Sequence, residues 1–210
     1  MSNIFQDFKN RKGKWVKTFN YDGRTCFTKS GRLWSDVKQR CKVGGHYQNK
    51  KPTYIGCTMS DNFKDFQFFA DWHQNQIGYG LADYHLDKDI LSDYNKLCSE
   101  DNCVLVPKNL NAFFKRFDSL QKLPQGVWIS QSGLYGASIG NGVTSRKKHL
   151  GIFKTIKDAS HAYKVAKDSL GKVWYKRLLN NEFNIYPRVI ERMKNWEYIS
   201  DWENYETDSV

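Results

Sequence analysis

The stretch Tyr84-His85-Leu86-Asp87-Lys88-Asp89-Ile90, followed by Asp101-Asn102-Cys103-Val104-Leu105-Val106-Pro107 and then by Asn109 and Asn111, decides how the centre of this chain is read. The first string predicts a strand that ends in carboxylates, and the second a strand opened by Asn. The amides beyond Pro107 fall where a helix would start. Strand, loop, strand and helix start, with oxygen donors at their ends, together can hold one divalent cation over a phosphate. By strand alternation His85 shares a face with Asp87 and Asp89. Taken alone, the same residues also serve a purely structural reading, in which Asp87 and Asp89 flank a strand end and the two Asn cap a turn and a helix.

Charge is unevenly spread around this centre. The chain of 210 residues carries 33 Lys and Arg against 22 Asp and Glu, a net charge of +11. Residues 1–40 hold 10 basic and 3 acidic side chains, residues 41–111 hold 7 and 9, residues 112–200 hold 16 and 6, and the last ten hold 4 acids and no base. Two basic flanks around a mildly acidic middle suit a protein that grips phosphates at both ends and keeps carboxylates for a metal. Runs of charge also arise as solvated faces, so the pattern by itself does not choose.

Cys26, Cys41, Cys57, Cys98 and Cys103 are odd in number and contain no Cys-x-x-Cys pair. With no signal peptide in view, reduced thiols and a cytoplasmic location are expected, the host cytoplasm if a phage encodes the chain. The Cys98 to Cys103 spacing is wider than a usual zinc pair and has no second pair beside it, so zinc is not expected. No apolar run approaches the roughly 20 residues of a membrane span.

Along the chain, residues 1–33 read as a basic aromatic arm or a short hairpin. Trp34, Val37 and Cys41 at helical spacing predict a short helix ended by Gly44 and Gly45. Tyr54-Ile55-Gly56-Cys57 suggests a strand; Ser60 or Asp61 then caps a helix whose apolar side runs from Phe63 to Trp72. After the turn Leu123-Pro124-Gln125-Gly126 come three strand candidates, Val127 to Gln131, Leu134 to Gly140 and Arg146 to Phe153. Asn141-Gly142 is a hairpin signal between the second and third. Thr155 caps a helix carrying Ala159, Ala162, Tyr163, Ala166 and Leu170. Residues 171–200 predict further helices broken by Pro187, and the acidic end, 201–210, is expected to be disordered. The fold class is α+β, with two small antiparallel sheets in separate units: a central domain over residues 34–120 and a second over 121–170.

The region from Trp34 to Asn111 resembles the HNH-type endonucleases of phages and mobile elements, many of them homing endonucleases. The residues that carry this are the Trp34 to Arg40-Cys41 helix, the Phe-rich helix ending in Trp72, the Leu-Asp-Lys-Asp-Ile string and the Asn-Cys-Val-Leu-Val-Pro string with Asn111 after it. The resemblance implies a ββα-metal-like nuclease core that takes a divalent metal, Mg²⁺ or Mn²⁺. It places Asp87 or Asp89 on the metal, Asn102 on the loop backbone, and Asn111, with Asn109 as the alternative, on the helix that completes the metal site. With Asp87 as the metal-binding Asp, Lys88 stands where the family has its general-base His; with Asp89, which precedes the apolar Ile90, no His follows either. His85 is the candidate base or orienting group, and Lys88 could act as an electrophile. A PD-(D/E)XK arrangement of Asp87, Asp89, Glu100 and Lys96 or Lys108 fits less well, because no Lys follows Glu100-Asp101-Asn102.

Residues 126–167 resemble the DNA-binding domain of the APETALA/ethylene-response-factor type, which also occurs attached to HNH homing endonucleases. Gly126-Val127, Tyr135-Gly136-Ala137-Ser138-Ile139, Asn141-Gly142, Leu150-Gly151-Ile152-Phe153-Lys154-Thr155 and Asp158-Ala159 carry it. It implies a three-stranded antiparallel sheet laid into the major groove with one helix packed behind. The DNA-contact candidates are Tyr135, Ser138, Asn141, Arg146, Lys147, Lys148 and His149, the basic ones for phosphate rather than bases. Tyr135, Ala137 and Ile139 would face the helix, and Gly136 stands where the family often has Arg. The expected partner is double-stranded DNA, with no membrane, and the protein itself is expected to be a monomer or homodimer. The expected activity is metal-dependent endonuclease cleavage. The rivals are a DNA-binding regulator on a degenerate nuclease scaffold and an RNA-binding or ribosome-associated basic protein.

Overall fold

The computed structural model of the chain describes residues 4–92, 95–115, 123–140 and 146–199. They fall into two compact units, Met1–Val106 and Pro107–Val210. The mixture of helices and small sheets is α+β, as the sequence implies.

In the first unit the basic arm is an ordered sheet. Strands β1 (Ile4–Phe5), β2 (Thr18–Tyr21) and β3 (Arg24–Thr28) lie in the order β1-β3-β2, with β2 and β3 antiparallel and β1 parallel to β3. Asp22 and Gly23, both at positive φ, close the β2–β3 hairpin. Paired positive-φ residues give a turn whose twist matches that of the strands. Helix α1 (Lys29–Arg40) starts four residues before the apolar spacing suggests, because the Thr28 side chain accepts from the Gly31 amide and caps it. Residues His46–Lys50 form α2. The expected strand at Tyr54 to Cys57 is instead a 3₁₀ turn over Pro52–Tyr54, since Gly56 at φ +79° breaks the extended run; pairing begins at β4 (Thr58–Met59). The Phe-rich helix is split into α3 (Asp61–Lys64), capped by Ser60, and α4 (Phe66–Gln74), capped by Asp65. Strands β5 (Tyr84–Asp87), β6 (Leu97–Cys98) and β7 (Val104–Pro107) follow. β4 pairs in parallel with β6, and β5 pairs with β7.

Trp34, Val37, Phe63, Phe69, Cys98 and Cys103 make the core of this unit, with Leu86 of β5 packed against it. The Trp34 Nε1–H donates to the Phe63 carbonyl at 2.8 Å, so the buried indole costs no unpaired donor. Because Leu86 faces this core, alternation turns His85 and Asp87 to the other side of β5.

In the second unit α5 (Lys108–Phe114) precedes an antiparallel sheet of β8 (Val127–Ile129), β9 (Tyr135–Gly140) and β10 (Lys147–Phe153), in the order β10-β9-β8. Helix α6 (Ile156–Leu179), capped by Thr155, covers one face. The core beneath the sheet joins Val127, Ala137 and Ala159, then Ile139, Tyr163 and Tyr198. α6 does not stop near residue 170 as the domain reading implies. Gly171 lies inside it because Trp196 packs there: a Cβ at Gly171 would meet the Trp196 ring at 2.7 Å. Helix α7 (Pro187–Lys194) opens on Pro at its first position, where the missing N–H costs nothing. The Asn141-Gly142 turn and the acidic end lie outside the described residues. Among those described, no helix is long and apolar enough to cross a membrane.

Lys167 of α6 is buried, and its ammonium donates to the Phe113 carbonyl at 2.5 Å, near the C-terminal end of α5, with the Phe113 ring 4.2 Å away. Burial pulls its pKa down to about 8 from 10.5. Between these values the unfolded chain binds more protons, so stability rises with pH. Urea denaturation is expected to show a gain of about 1.5 kcal/mol from Lys167 between pH 8 and 9.5. The Lys167→Met variant should lack that gain; an equal gain in both proteins would show that Lys167 is not the source.

Candidate active site and nucleic-acid interface

Asp87 ends β5, and its carboxylate accepts from the backbone amides of Asp89 (2.7 Å) and Ile90 (2.8 Å). Both bonds fall on Oδ1, so Oδ2 takes no hydrogen bond from the described residues. Burial pushes the carboxyl up, against the pull of those two amides. Asp89 pairs instead with Lys88, whose ammonium also donates to the Asn95 carbonyl at 3.0 Å. Desolvation acts to pull Lys88 down, but the hydrogen bond and charge of Asp89 outweigh it and raise it. His85 is exposed, on the same face of β5 as Asp87. Thus three of the sequence candidates, His85, Asp87 and Asp89, lie within five residues of one strand end, and Lys88 neutralises one of the two carboxylates.

Asn102 donates through Nδ2 to the Leu97 carbonyl at 3.1 Å, and its backbone N–H donates to Ser99 Oγ at 3.2 Å. The side chain thereby closes the loop between β6 and β7. Asn111 is buried on α5, and Asn109 precedes it on the same helix; both belong to the second unit, whereas Asp87 belongs to the first. Two residues of the PD-(D/E)XK alternative, Glu100 and Lys96, hydrogen-bond to distant parts of the chain. Glu100 accepts from Ser60 Oγ at 2.9 Å and Asn62 Nδ2 at 2.5 Å, while Lys96 donates to the Thr53 carbonyl at 2.5 Å.

The sheet of the second unit has a covered face and a bare one. Cα partners set the rows: Trp128 faces Gly136, which faces Ile152, and Ser138 faces His149. Ala137 and Ile139 are buried toward α6. The shift of register between His149 and Gly151 makes room for Leu150, whose side chain packs into the core. Trp128 is 40% exposed, and its ring lies over Gly136 so closely that a Cβ there would come within 2.4 Å of it. The position where the resemblance expects Arg is therefore roofed by an indole, and His149 approaches that ring at 6.3 Å between centroids.

Of the DNA-contact candidates, Ser138, Lys147 and His149 stand on the bare face. Lys148 is opposite the inward Ile139 and is exposed, and Arg146 is exposed just before β10. Tyr135 packs against the core below the sheet, and Asn141 lies outside the described residues. Trp128 and Ile152 were not singled out from the sequence; alternation from Val127 and Phe153 would have found both.

Comparison with family models, with curated proteins and with solved structures finds no match to this chain.

Proposed function

We propose that the chain is a metal-dependent endonuclease acting on duplex DNA, with the bare face of the β8–β10 sheet and the adjoining basic residues holding the duplex. The observation that carries the reading is Asp87: a desolvated carboxylate at a strand tip, fixed through Oδ1 by two backbone amides and taking no hydrogen bond at Oδ2 from the described residues, with a histidine on the same face. A ligand held in that way is preorganised, because its orientation does not have to be found when the substrate arrives. The donors are hard oxygens, which fit Mg²⁺ or Mn²⁺ better than a softer metal.

Asp87, and Asp89 once released from Lys88, would hold a divalent cation, which would supply positive charge to the scissile phosphate and its leaving oxygen. His85, exposed on the same face, accepts the proton of the attacking water. Lys88, freed in the same exchange, offers its ammonium to a phosphate oxygen. The first unit alone supplies all of these groups. On the sheet, Trp128 and Ile152 offer apolar surface and Lys147, Lys148, Arg146 and His149 offer charge, which suits backbone contact and positioning more than base readout.

The Lys88–Asp89 pair also favours a second reading: a charge-neutralised carboxylate and a missing family base are what a DNA-binding regulator on a disused nuclease scaffold would carry. Incubation with supercoiled and linear duplex DNA in Mg²⁺, Mn²⁺ or EDTA separates the two. Metal-dependent nicking that EDTA stops is the expected result. Retention of DNA in a gel shift, with no cleavage in either metal, would establish the regulator instead.

A further inference from the structure

Cys41, Cys98 and Cys103 lie together inside the first unit, with Cys57 near them, although the four come from separate places in the sequence. Cys41 caps the C-terminus of α1, Cys98 lies in β6, and the two sulfurs are 3.7 Å apart. The thiol of Cys98 also hydrogen-bonds that of Cys103. The turn between these two is tightly held: the Cys103 amide donates to the Ser99 carbonyl at 2.9 Å, and Asn102 bonds both Ser99 and Leu97. Cys57 directly precedes β4, whose Thr58 and Met59 pair with Leu97 and Cys98, and it acts electrostatically on Cys41 and Cys98. All are free thiols; Cys57, Cys98 and Cys103 are buried and Cys41 is half-buried.

Free buried cysteines are ordinary core residues. Cys26 is one of that kind, placed in β3 with its Sγ near the Arg24 carbonyl. The other four differ in that they converge. Their neighbours include two cations, Lys88, which acts on Cys57 and Cys98, and Arg40, which acts on Cys41 and Cys98 and whose buried Nε has no hydrogen-bond partner among the described residues. Asp89 acts on Cys57 and Asp87 on Cys103.

We infer that Cys41, Cys57, Cys98 and Cys103 form a structural zinc site that staples α1, β4, β6 and the turn after β6. The 3.7 Å sulfur separation is close to the roughly 3.8 Å edge of a thiolate tetrahedron built on Zn–S bonds of about 2.3 Å. Among the described residues no group of three or more His, Cys, Asp and Glu already stands at metal-holding geometry, so closure asks Cys57 and Cys103 to turn in on the Cys41–Cys98 pair. Each thiol loses its S–H proton to solvent as its sulfur binds zinc, and the resulting excess of negative charge faces Lys88 and Arg40. Two-residue strands such as β4 and β6 bring little pairing of their own, which is where a metal staple adds most.

The test begins with the full-length wild-type protein, reduced, stripped with chelator and titrated with Co²⁺. One cobalt per chain is expected, with the intense visible and near-ultraviolet bands of tetrahedral thiolate ligation, displaced by one Zn²⁺. Cys57→Ser and Cys103→Ser should each alter the bands, and Cys26→Ser should leave them as they are. Absence of thiolate-to-cobalt bands in the wild type overturns the site, whatever the variants do. So does an unchanged spectrum in Cys57→Ser, or a Cys41–Cys98 disulfide that forms in a protein purified without zinc.

Discussion

Asp87→Asn is expected to lower the rate of metal-dependent DNA cleavage about 10³-fold or more while DNA binding stays within twofold. The size follows from the role: a metal-held phosphate gains several kcal/mol of charge stabilisation, and about 4 kcal/mol is three decades in rate. Asn is the informative substitution because its Oδ1 can still accept from the Asp89 and Ile90 amides at the end of β5, whereas Ala would leave both unpaired. Each such loss costs about 1–3 kcal/mol in a desolvated place, and a misfolded turn would imitate a catalytic defect. What Asn lacks is the charge and the metal affinity at Oδ2. Thermal unfolding close to that of wild type, loss of nicking in both Mg²⁺ and Mn²⁺, and an unchanged gel shift together make the expected result. Cleavage at the wild-type rate would reduce Asp87 to a turn former. His85→Ala in parallel tests the proton acceptor: its loss should be smaller, about 10²-fold, and partly recovered at higher pH if hydroxide can replace the base.

The parts of this fold that were legible in the sequence are those with local causes. Three strands and the capped helix of the second unit follow from alternation through Ala137 and Ile139, from Thr155, and from Pro187, each a signal that acts within a few residues. The Asp87 turn and the Asn102 bond are of the same kind, spanning no more than five residues. Two departures have local causes, the Thr28 cap and Gly56 at positive φ, but for others the cause lies far along the chain. α6 continues through Gly171 because Trp196, twenty-five residues on, fills the space a side chain would need. The first residues read as an arm or a short hairpin, and the hairpin is present, but nothing near Asp7 reveals that its partners are Ser30 and Tyr79. Likewise, spacing can detect two cysteines on one knuckle, but it cannot show that a helix end and the start of β4 bring two more to the same place.

Removing the Asp7 carboxylate is expected to destabilise the first unit by about 3–5 kcal/mol, because one side chain there satisfies three donors. Asp7 accepts from the Ser30 amide at 2.9 Å, from Ser30 Oγ at 2.8 Å and from the Tyr79 hydroxyl at 2.7 Å. Ser30 is fully buried, and its Oγ lies 2.8 Å from Nδ1 of the buried His73. The Ser30 proton goes to Asp7, so a neutral His73 must carry its own on Nδ1 and donate it to Ser30. Asp7→Ala thus strands a chain of polar groups running from the N-terminal segment through α1 to α4. Urea denaturation should show the full loss for Asp7→Ala and a smaller one for Asp7→Asn, which keeps an acceptor; a loss under 1 kcal/mol for Ala would mean that water replaces the carboxylate without cost. The same network sets an acid limit. Burial, with a smaller push from Lys29, takes the His73 pKa down to about 4 from 6.5, against the attraction of Asp7. Since the unfolded histidine takes up its proton first, the contribution of neutral His73 is complete above pH 6.5 and is lost as pH falls toward 4, a change of about 3 kcal/mol. In His73→Gln that part of the pH dependence should vanish, so the stability difference from wild type narrows as the solution is acidified. A difference that stays constant from pH 7.5 to 4.5 would show that His73 does not carry it.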